Sequence, residues 1–158
     1  MTDEGHEGVV SEASGAWRSG VNIGRYALLV RIAVGGMAEI WLARQLGLKG
    51  FERVVVIKRI SDALSQDASF VEMFLDEARI AAQLAHPNIV QVFELGEHSG
   101  SYYIAMEYLP GEDVANIVRA TKKLNQPMPF SYTARIIADA AAGLASAHSR
   151  LGLDGKPL

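Results

Sequence analysis

The sequence predicts an α+β fold, because strand-like segments come first and helices come last. Five runs rich in β-branched and aromatic residues lie before residue 109, and one helical segment interrupts them. Beyond that point only helical periodicity remains. This order differs from the regular alternation of strand and helix that builds a doubly wound parallel sheet.

The strand-like segments are separated by turn-forming residues. Small residues, Ala33–Ala38, join the first two segments, and Gly47–Gly50 marks the turn between the second and the third. The five segments are Tyr26–Ile32, Glu39–Arg44, Arg53–Ile60, Val90–Leu95 and Tyr102–Tyr108.

A helix is predicted between the third and fourth strands. Ser69 and Glu72 have the spacing of a capping box, and proline at His86-Pro87 ends the helix. Apolar residues recur along it at helical spacing: Phe70, Met73, Phe74, Ile80, Ala81 and Leu84.

Two further helices are predicted after Pro110-Gly111. The first is short and carries Val114, Ile117 and Val118 on one face, and the second is alanine-rich and spans about Ser131–Ser149. The residues after it form a loop.

Composition excludes several classes of protein. The 158 residues carry a net charge of -3 and no cysteine, which argues against a nucleic-acid binder, a disulfide framework or a Cys-ligated metal. The four histidines are scattered, so no metal site is predicted. No apolar run is long enough to span a membrane. Residues 1–24 predict a disordered leader without signal-peptide character, and we expect a cytoplasmic protein.

Lys58 is the first residue that conflicts with its surroundings. With a period of two, it shares a strand face with Val54, Val56 and Ile60. A charge on a buried face is costly unless it is paired. The alternative is that this face is exposed, or that the lysine side chain extends to solvent.

Glu77 is the second such residue, since it falls among the apolar positions of the helix. A helix packed on the preceding strand would bring Glu77 towards Lys58. An incidental glutamate at the edge of the apolar face is the alternative.

Gly35 and Gly36 lie in the hairpin between the first two strands. Small residues there allow a ligand to approach the backbone, whose N–H groups can face phosphates. A pair of glycines also occurs in ordinary hairpin turns.

The order of these features resembles the eukaryotic-type (Hanks-type) serine/threonine protein kinases of bacteria: a glycine-rich hairpin, a lysine on the next strand, and a glutamate in the following helix. Five segments carry the resemblance, namely Ile32–Ile40 (glycine-rich loop), Val55–Lys58 (Val-Ala-Ile-Lys), Phe74–Ala78 (C-helix), His86–Val90 (entry to the fourth strand) and Tyr103–Gly111 (fifth strand and hinge).

The resemblance implies a kinase N-lobe, with a five-stranded antiparallel sheet and a C-helix, followed by the first helices of a truncated helical C-lobe. The implied boundaries are 25–109 for the N-lobe and hinge and 110–158 for the start of the C-lobe. It also implies ATP and Mg²⁺ as cofactors and a protein substrate, with the metal ligands expected in the missing C-lobe.

Individual roles follow only from the resemblance. Lys58 and Glu77 would be the catalytic pair, with Lys58 on the α- and β-phosphates. Met106 would be the gatekeeper, the backbone of Glu107 and Leu109 would bind adenine, and Asp113 would contact ribose. The remaining nucleotide-binding positions would be Ile32, Ala33, Gly35, Gly36, Met37, Ala38, Ile40 and Val56.

The sequence departs from the kinase pattern in several places. Ala33 and Ala38 replace the first and third glycines of the loop, and Val56 replaces the usual alanine. The His-Arg-Asp and Asp-Phe-Gly motifs are absent from these residues, and with them the catalytic base.

Three hypotheses follow. The first is the ATP-binding part of a serine/threonine kinase, inactive as 158 residues and completed by a missing C-lobe. The second is a non-catalytic, pseudokinase-like module that binds nucleotide or docks on a full kinase. The third is an unrelated α+β domain without a ligand.

Overall fold

A computed structural model describes residues 17–152 of the chain. The order of its elements confirms the predicted α+β class, with strands, one helix, strands and then helices alone. The elements are β1 (Asn22–Ile23), β2 (Tyr26–Val34), β3 (Ala38–Leu46), β4 (Glu52–Ile60), α1 (Ala68–Ala82), β5 (Val92–His98), β6 (Ser101–Glu107), α2 (Val114–Lys123) and α3 (Phe130–His148).

The strands form one antiparallel sheet in the order β1-β2-β3-β4-β6-β5. The sheet has six strands where the sequence predicted five, because the two-residue strand β1 pairs with the start of β2. Two residues are too few to show any periodicity.

The sheet is strongly curled. The rings of Tyr26 on β2 and Tyr103 on β6 lie 6.0 Å apart between centroids, although β3 and β4 separate their strands. Three strand spacings in a flat sheet would place them about 14 Å apart. The inner face of the curl therefore holds a continuous core: Ile23, Tyr26, Leu28, Trp41, Ala43, Val55, Ile57, Tyr103 and Ala105.

Helix α1 packs on the opposite face of the sheet, which we call the helix face. Phe74 and Ala78 on α1 form a buried cluster with Ile60 of β4 and Ile104 of β6. Two other apolar residues of α1, Met73 and Ile80, are about half exposed, so the buried stripe is narrower than the sequence predicted.

The start of α1 also differs from the sequence prediction. Asp67 is the N-cap, and its carboxylate accepts hydrogen bonds from the backbone N–H groups of Ser69 and Phe70. The Ser69 hydroxyl donates to the same carboxylate at 2.7 Å. The predicted capping box of Ser69 and Glu72 was wrong, because an acceptor two residues earlier takes the same role.

The segment before β1 packs against the sheet. The Trp17 ring meets the rings of His98 and Tyr103 edge-on, at 6.0 Å in both cases, and the Arg59 guanidinium lies 4.8 Å from it. Residues 17–24 therefore differ from the predicted disordered leader, because Trp17 and Ile23 both contact the inner-face core. Residues 1–16 of that leader, and residues 153–158 of the terminal loop, lie outside the described residues.

Helix α3 meets the loop before β5 through Gly143. A Cβ atom at this position would lie 3.2 Å from the carbonyl oxygen of Asn88, so only glycine fits without a shift. The Asn88 side-chain amide donates to the carbonyl oxygen of Asp139 at 2.8 Å. Among residues 17–152, no helix is both long and apolar enough to cross a membrane.

Candidate functional site

Lys58 and Glu77 form an ion pair between the sheet and helix α1. The Lys58 ammonium lies 2.6 and 2.8 Å from the two carboxylate oxygens of Glu77, and 5.7 Å from the centre of the Phe74 ring. The side chain of Lys58 is 24% exposed and that of Glu77 is 56% exposed. The structure thus brings the two predicted residues together at an accessible edge of the helix face.

The two faces of strand β4 explain how Lys58 reaches this position. Val55 and Ile57 belong to the inner-face core, whereas Ile60 belongs to the cluster under α1. With alternating side chains, Lys58 lies on the helix face beside Ile60. The alternative of a solvent-exposed edge strand does not hold, since β4 lies between β3 and β6 and α1 packs on this face at Ile60.

The glycine-rich hairpin joins β2 and β3. The Gly35 N–H donates to the carbonyl of Ala38 at 2.9 Å, which closes the turn. A Cβ atom at Gly36 would have no neighbour within 4 Å, and neither Gly35 nor Gly36 has a positive φ. The fold itself therefore has no need of glycine at position 36.

Apolar side chains continue the site along three neighbouring strands. Ile40 of β3 pairs with Lys58 of β4, and Val56 of β4 pairs with Met106 of β6. Directly paired residues share a face of the sheet, so Ile40, Val56 and Met106 lie on the same face as the ammonium group. Ile32 on β2 is about half exposed.

The end of β6 and the segment that follows it hold the remaining predicted residues. The N–H of Glu107 donates to the carbonyl of Gln91 at 2.9 Å, and its carboxylate accepts from the Gln91 N–H at 2.6 Å. Leu109 is 59% exposed. The carboxylate of Asp113 caps helix α2 by accepting from the Asn116 N–H at 2.7 Å, a structural role that the sequence had not predicted.

Cavities of different size lie near these elements in the described part of the chain. A small one of about 60 Å³ adjoins the ion pair and is lined by Met37, Phe70, Met73 and Phe74, among others. A larger groove of about 550 Å³ lies between α2 and α3, away from Lys58. Within residues 17–152 no three acidic or histidine side chains converge to hold a metal ion.

A polar cluster that the sequence analysis missed links strands β2, β5 and β6 on the inner face of the curled sheet. Glu94 of β5 accepts hydrogen bonds from the hydroxyls of Tyr26 at 2.8 Å and Tyr103 at 3.3 Å, and it forms an ion pair with Arg25. Burial opposes the charge on Glu94, but the bonds from Tyr26 and Arg25 outweigh it and lower the pKa of Glu94. Burial, together with the neighbouring Glu94 charge, raises the pKa of Tyr103 to about 12.

Arg59 is a buried charged residue that the sequence analysis passed over. Its guanidinium donates to the Ser101 hydroxyl at 3.2 Å and lies 3.5 Å from the Glu39 carboxylate. Burial lowers the pKa of Arg59, while the Glu39 charge acts in the opposite direction. The hydrogen bonds and ion pairs of the Arg59 and Glu94 side chains described here go to residues other than Lys58 and Glu77, so they stabilise the sheet and not the ion pair.

Comparison with known proteins identifies the family. The family described as "Protein kinase domain" matches residues 26–151. The chain is 52% identical over 135 residues to the tyrosine-protein kinase MasK of Myxococcus xanthus, and 36% identical over 125 residues to the serine/threonine-protein kinase PrkC of Bacillus subtilis. These alignments cover 85% and 79% of the chain but only 21% and 18% of the two relatives.

A solved structure shows the same fold. The kinase domain of PknI from Mycobacterium tuberculosis superposes with a TM-score of 0.69 at 30% identity. The superposition covers 85% of this chain and 52% of the PknI domain, so the chain spans about half of a kinase domain. The predicted kinase-like N-lobe and the first C-lobe helices are therefore confirmed. With its sheet, C-helix and ordered motifs, this chain belongs to the protein kinase family and resembles its bacterial, eukaryotic-type members.

Proposed function

We propose that the chain binds ATP beside the Lys58–Glu77 pair, beneath the glycine-rich hairpin. The observation that carries this proposal is the bidentate contact of the Lys58 ammonium with the Glu77 carboxylate. The contact holds a partly exposed cation in one place, where it can neutralise the α- and β-phosphates of a nucleotide.

The hairpin supports the same proposal. Because the fold leaves open space at Gly36, the absence of a side chain there serves something other than internal packing. Close approach of phosphate oxygens to the backbone at Gly35, Gly36 and Met37 is a use that glycine permits. Ala33 and Ala38 would border the phosphates, each adding one methyl group to the loop.

The apolar positions suit an adenine ring. Ile32, Ile40 and Val56 would contact its face, and Met106 would limit the depth of the pocket. Backbone groups of Glu107 and Leu109 would recognise the edge of the ring. The Asp113 carboxylate already caps α2, so a contact with ribose would use its remaining acceptor capacity.

In the whole protein, we propose transfer of the γ-phosphoryl group from ATP to a hydroxyl of a protein substrate. Serine or threonine is the acceptor that we favour, as the name of PrkC suggests; the name of MasK makes tyrosine the alternative. Kinases use Mg²⁺ with ATP. We propose that the ligands of this Mg²⁺, like the catalytic base, belong to the C-lobe and lie outside residues 17–152.

This reaction also indicates the cellular compartment. We infer that this part of the protein acts in the cytoplasm, where ATP and protein substrates are available. A C-lobe or a full kinase would be the partner of these residues. Phosphorylation of a protein substrate by the 158 residues alone would contradict our expectation that they lack activity.

The experiment that tests the proposal is titration of the 158-residue protein with ATP, with and without Mg²⁺, by calorimetry. We expect Lys58→Met to weaken binding about 10-fold or more, because a charge-assisted contact with phosphate is lost. Lys49→Met is the matched control, since it removes the same charge from an exposed turn. Failure of the unaltered protein to bind ATP, or equal affinity in both variants, would refute the proposal.

A further inference from the structure

Ser61 lies directly after β4 and is hydrogen-bonded to the glycine-rich hairpin. Its backbone N–H donates to the carbonyl of Met37 at 3.0 Å, and its hydroxyl donates to the carbonyl of Gly36 at 3.3 Å. The first bond extends the β3–β4 ladder by one residue beyond the Ala38–Ile60 pair. The second uses a side chain and so depends on the residue at position 61.

The same residue begins the connection to helix α1. The carbonyl of Ser61 accepts from the N–H groups of Leu64 and Ser65, both at 3.0 Å, and Leu64 in turn accepts from Asp67 at 3.1 Å. Asp67 is the N-cap of α1, which carries Glu77. A short chain of hydrogen bonds therefore links the hairpin to the helix that orients Lys58.

The two hydrogen bonds from Ser61 to hairpin carbonyls also fix the orientation of the neighbouring backbone N–H groups. In a trans peptide the C=O and N–H groups point in opposite directions. Because the carbonyls of Gly36 and Met37 point towards Ser61, the N–H groups of Met37 and Ala38 point away from it. An exposed hairpin with two glycines would otherwise sample many orientations of these peptide planes.

We propose that Ser61 is a positioning residue for nucleotide binding, which holds the N–H groups of Met37 and Ala38 in the orientation that receives the phosphates. The inference rests on the function proposed above. It predicts an effect on ligands with phosphates and none on the nucleoside, since Ser61 contacts neither the apolar positions at Val56 and Met106 nor the hinge.

The test compares Ser61→Ala, Ser61→Thr and Ser65→Ala in the 158-residue protein, with ATP and adenosine as ligands. Loss of one neutral hydrogen bond predicts an affinity for ATP about two- to tenfold lower in Ser61→Ala, with adenosine binding unchanged. Threonine keeps the hydroxyl and should restore ATP binding. Ser65→Ala removes a hydroxyl from the same half-buried segment, where it donates only to the carbonyl of Asp62, and should bind ATP normally.

Hydrogen exchange gives a readout without ligand. The backbone amides of residues 36–38 should exchange faster in Ser61→Ala than in Ser65→Ala. Unchanged ATP affinity in Ser61→Ala, or an equal loss of affinity for ATP and adenosine, would refute the positioning role of Ser61. Neither result would refute the proposed binding of ATP. If the unaltered protein bound neither ligand, the proposed function would fail and the positioning role with it.

Discussion

Gly36 and Gly96 show how differently the fold constrains two residues of the same type. A Cβ atom at Gly96 on β5 would lie 2.4 Å from the Tyr103 ring, whereas a Cβ atom at Gly36 would have no neighbour within 4 Å. Tyr103 is 5% exposed and its hydroxyl is hydrogen-bonded to Glu94, so the ring has little freedom to move away. Of these two positions, packing therefore requires glycine at position 96 and not at position 36.

We expect Gly96→Ala to lower the free energy of unfolding by about 1–3 kcal/mol, the usual cost of overpacking a core. Gly36→Ala is the matched control, and it should change stability by less than about 0.5 kcal/mol because the site is exposed. Urea denaturation of both variants measures the difference. Equal stabilities would show that the sheet accommodates a methyl group beneath the tyrosine.

The sequence indicated some of these residues and missed others for a physical reason. Lys58 and Glu77 were identified because each places a charge within an apolar pattern, and the pattern is local to its own element. Gly96 and Ser61 act through partners elsewhere in the chain, Tyr103 on the next strand and the hairpin carbonyls. Such pairs become visible only when the strand register is known.

At the scale of elements, the curl of the sheet is closed by Glu94. This carboxylate on edge strand β5 is hydrogen-bonded to Tyr26 on β2, which lies on the far side of the sheet. Tyr103 shares the carboxylate, and its raised pKa means that the folded protein holds the phenol proton more tightly than the unfolded chain does.

The sign of the resulting pH dependence follows from linkage. A pKa that is raised on folding contributes stability below the ordinary tyrosine value of 10.0, and that stability is lost as the pH rises towards about 12. We therefore expect the stability advantage of the unaltered protein over Tyr103→Phe to shrink between these values. Denaturation of both proteins across this pH range is the measurement, and a constant difference would contradict the assignment.

The sequence predicted the bounds of its five strands and of helix α3 to within three residues, but it did not predict the capping of helix α1. Helix α1 ends at Ala82, before the proline at position 87 that the sequence analysis took as its limit. Its start was misassigned because Asp67, Ser69 and Glu72 all offer capping chemistry, and only geometry decides among them.

At the scale of the whole molecule, residues 17–24 pack against the sheet. Trp17 lies against Arg59, His98 and Tyr103, and its indole nitrogen is buried without a hydrogen-bond partner among the described residues. The sequence analysis could not show this, because a single tryptophan among glycine, serine and charged residues has no periodic pattern.

Tryptophan fluorescence tests the docking of this segment. The chain has two tryptophans, so Trp41→Phe leaves Trp17 as the sole emitter. We expect its emission to be shifted to shorter wavelength than in the urea-unfolded protein, since the ring is packed against other side chains. Trp17→Phe, which leaves the buried Trp41, is the reference for a core tryptophan. Emission from Trp17 that did not change on unfolding would contradict the packing.

The two faces of strand β4 have different roles, and this limits where insertions and deletions can be tolerated. Its odd-numbered residues Val55 and Ile57 fill the core, and its even-numbered neighbour Lys58 forms the ion pair with Glu77 on the helix face. A shift of one residue in the register of β4 would exchange its two faces and point the Lys58 ammonium group into the core. A change in length between β3 and β4 must therefore be absorbed by the turn at Leu48–Gly50, and cannot be accommodated by sliding the strand.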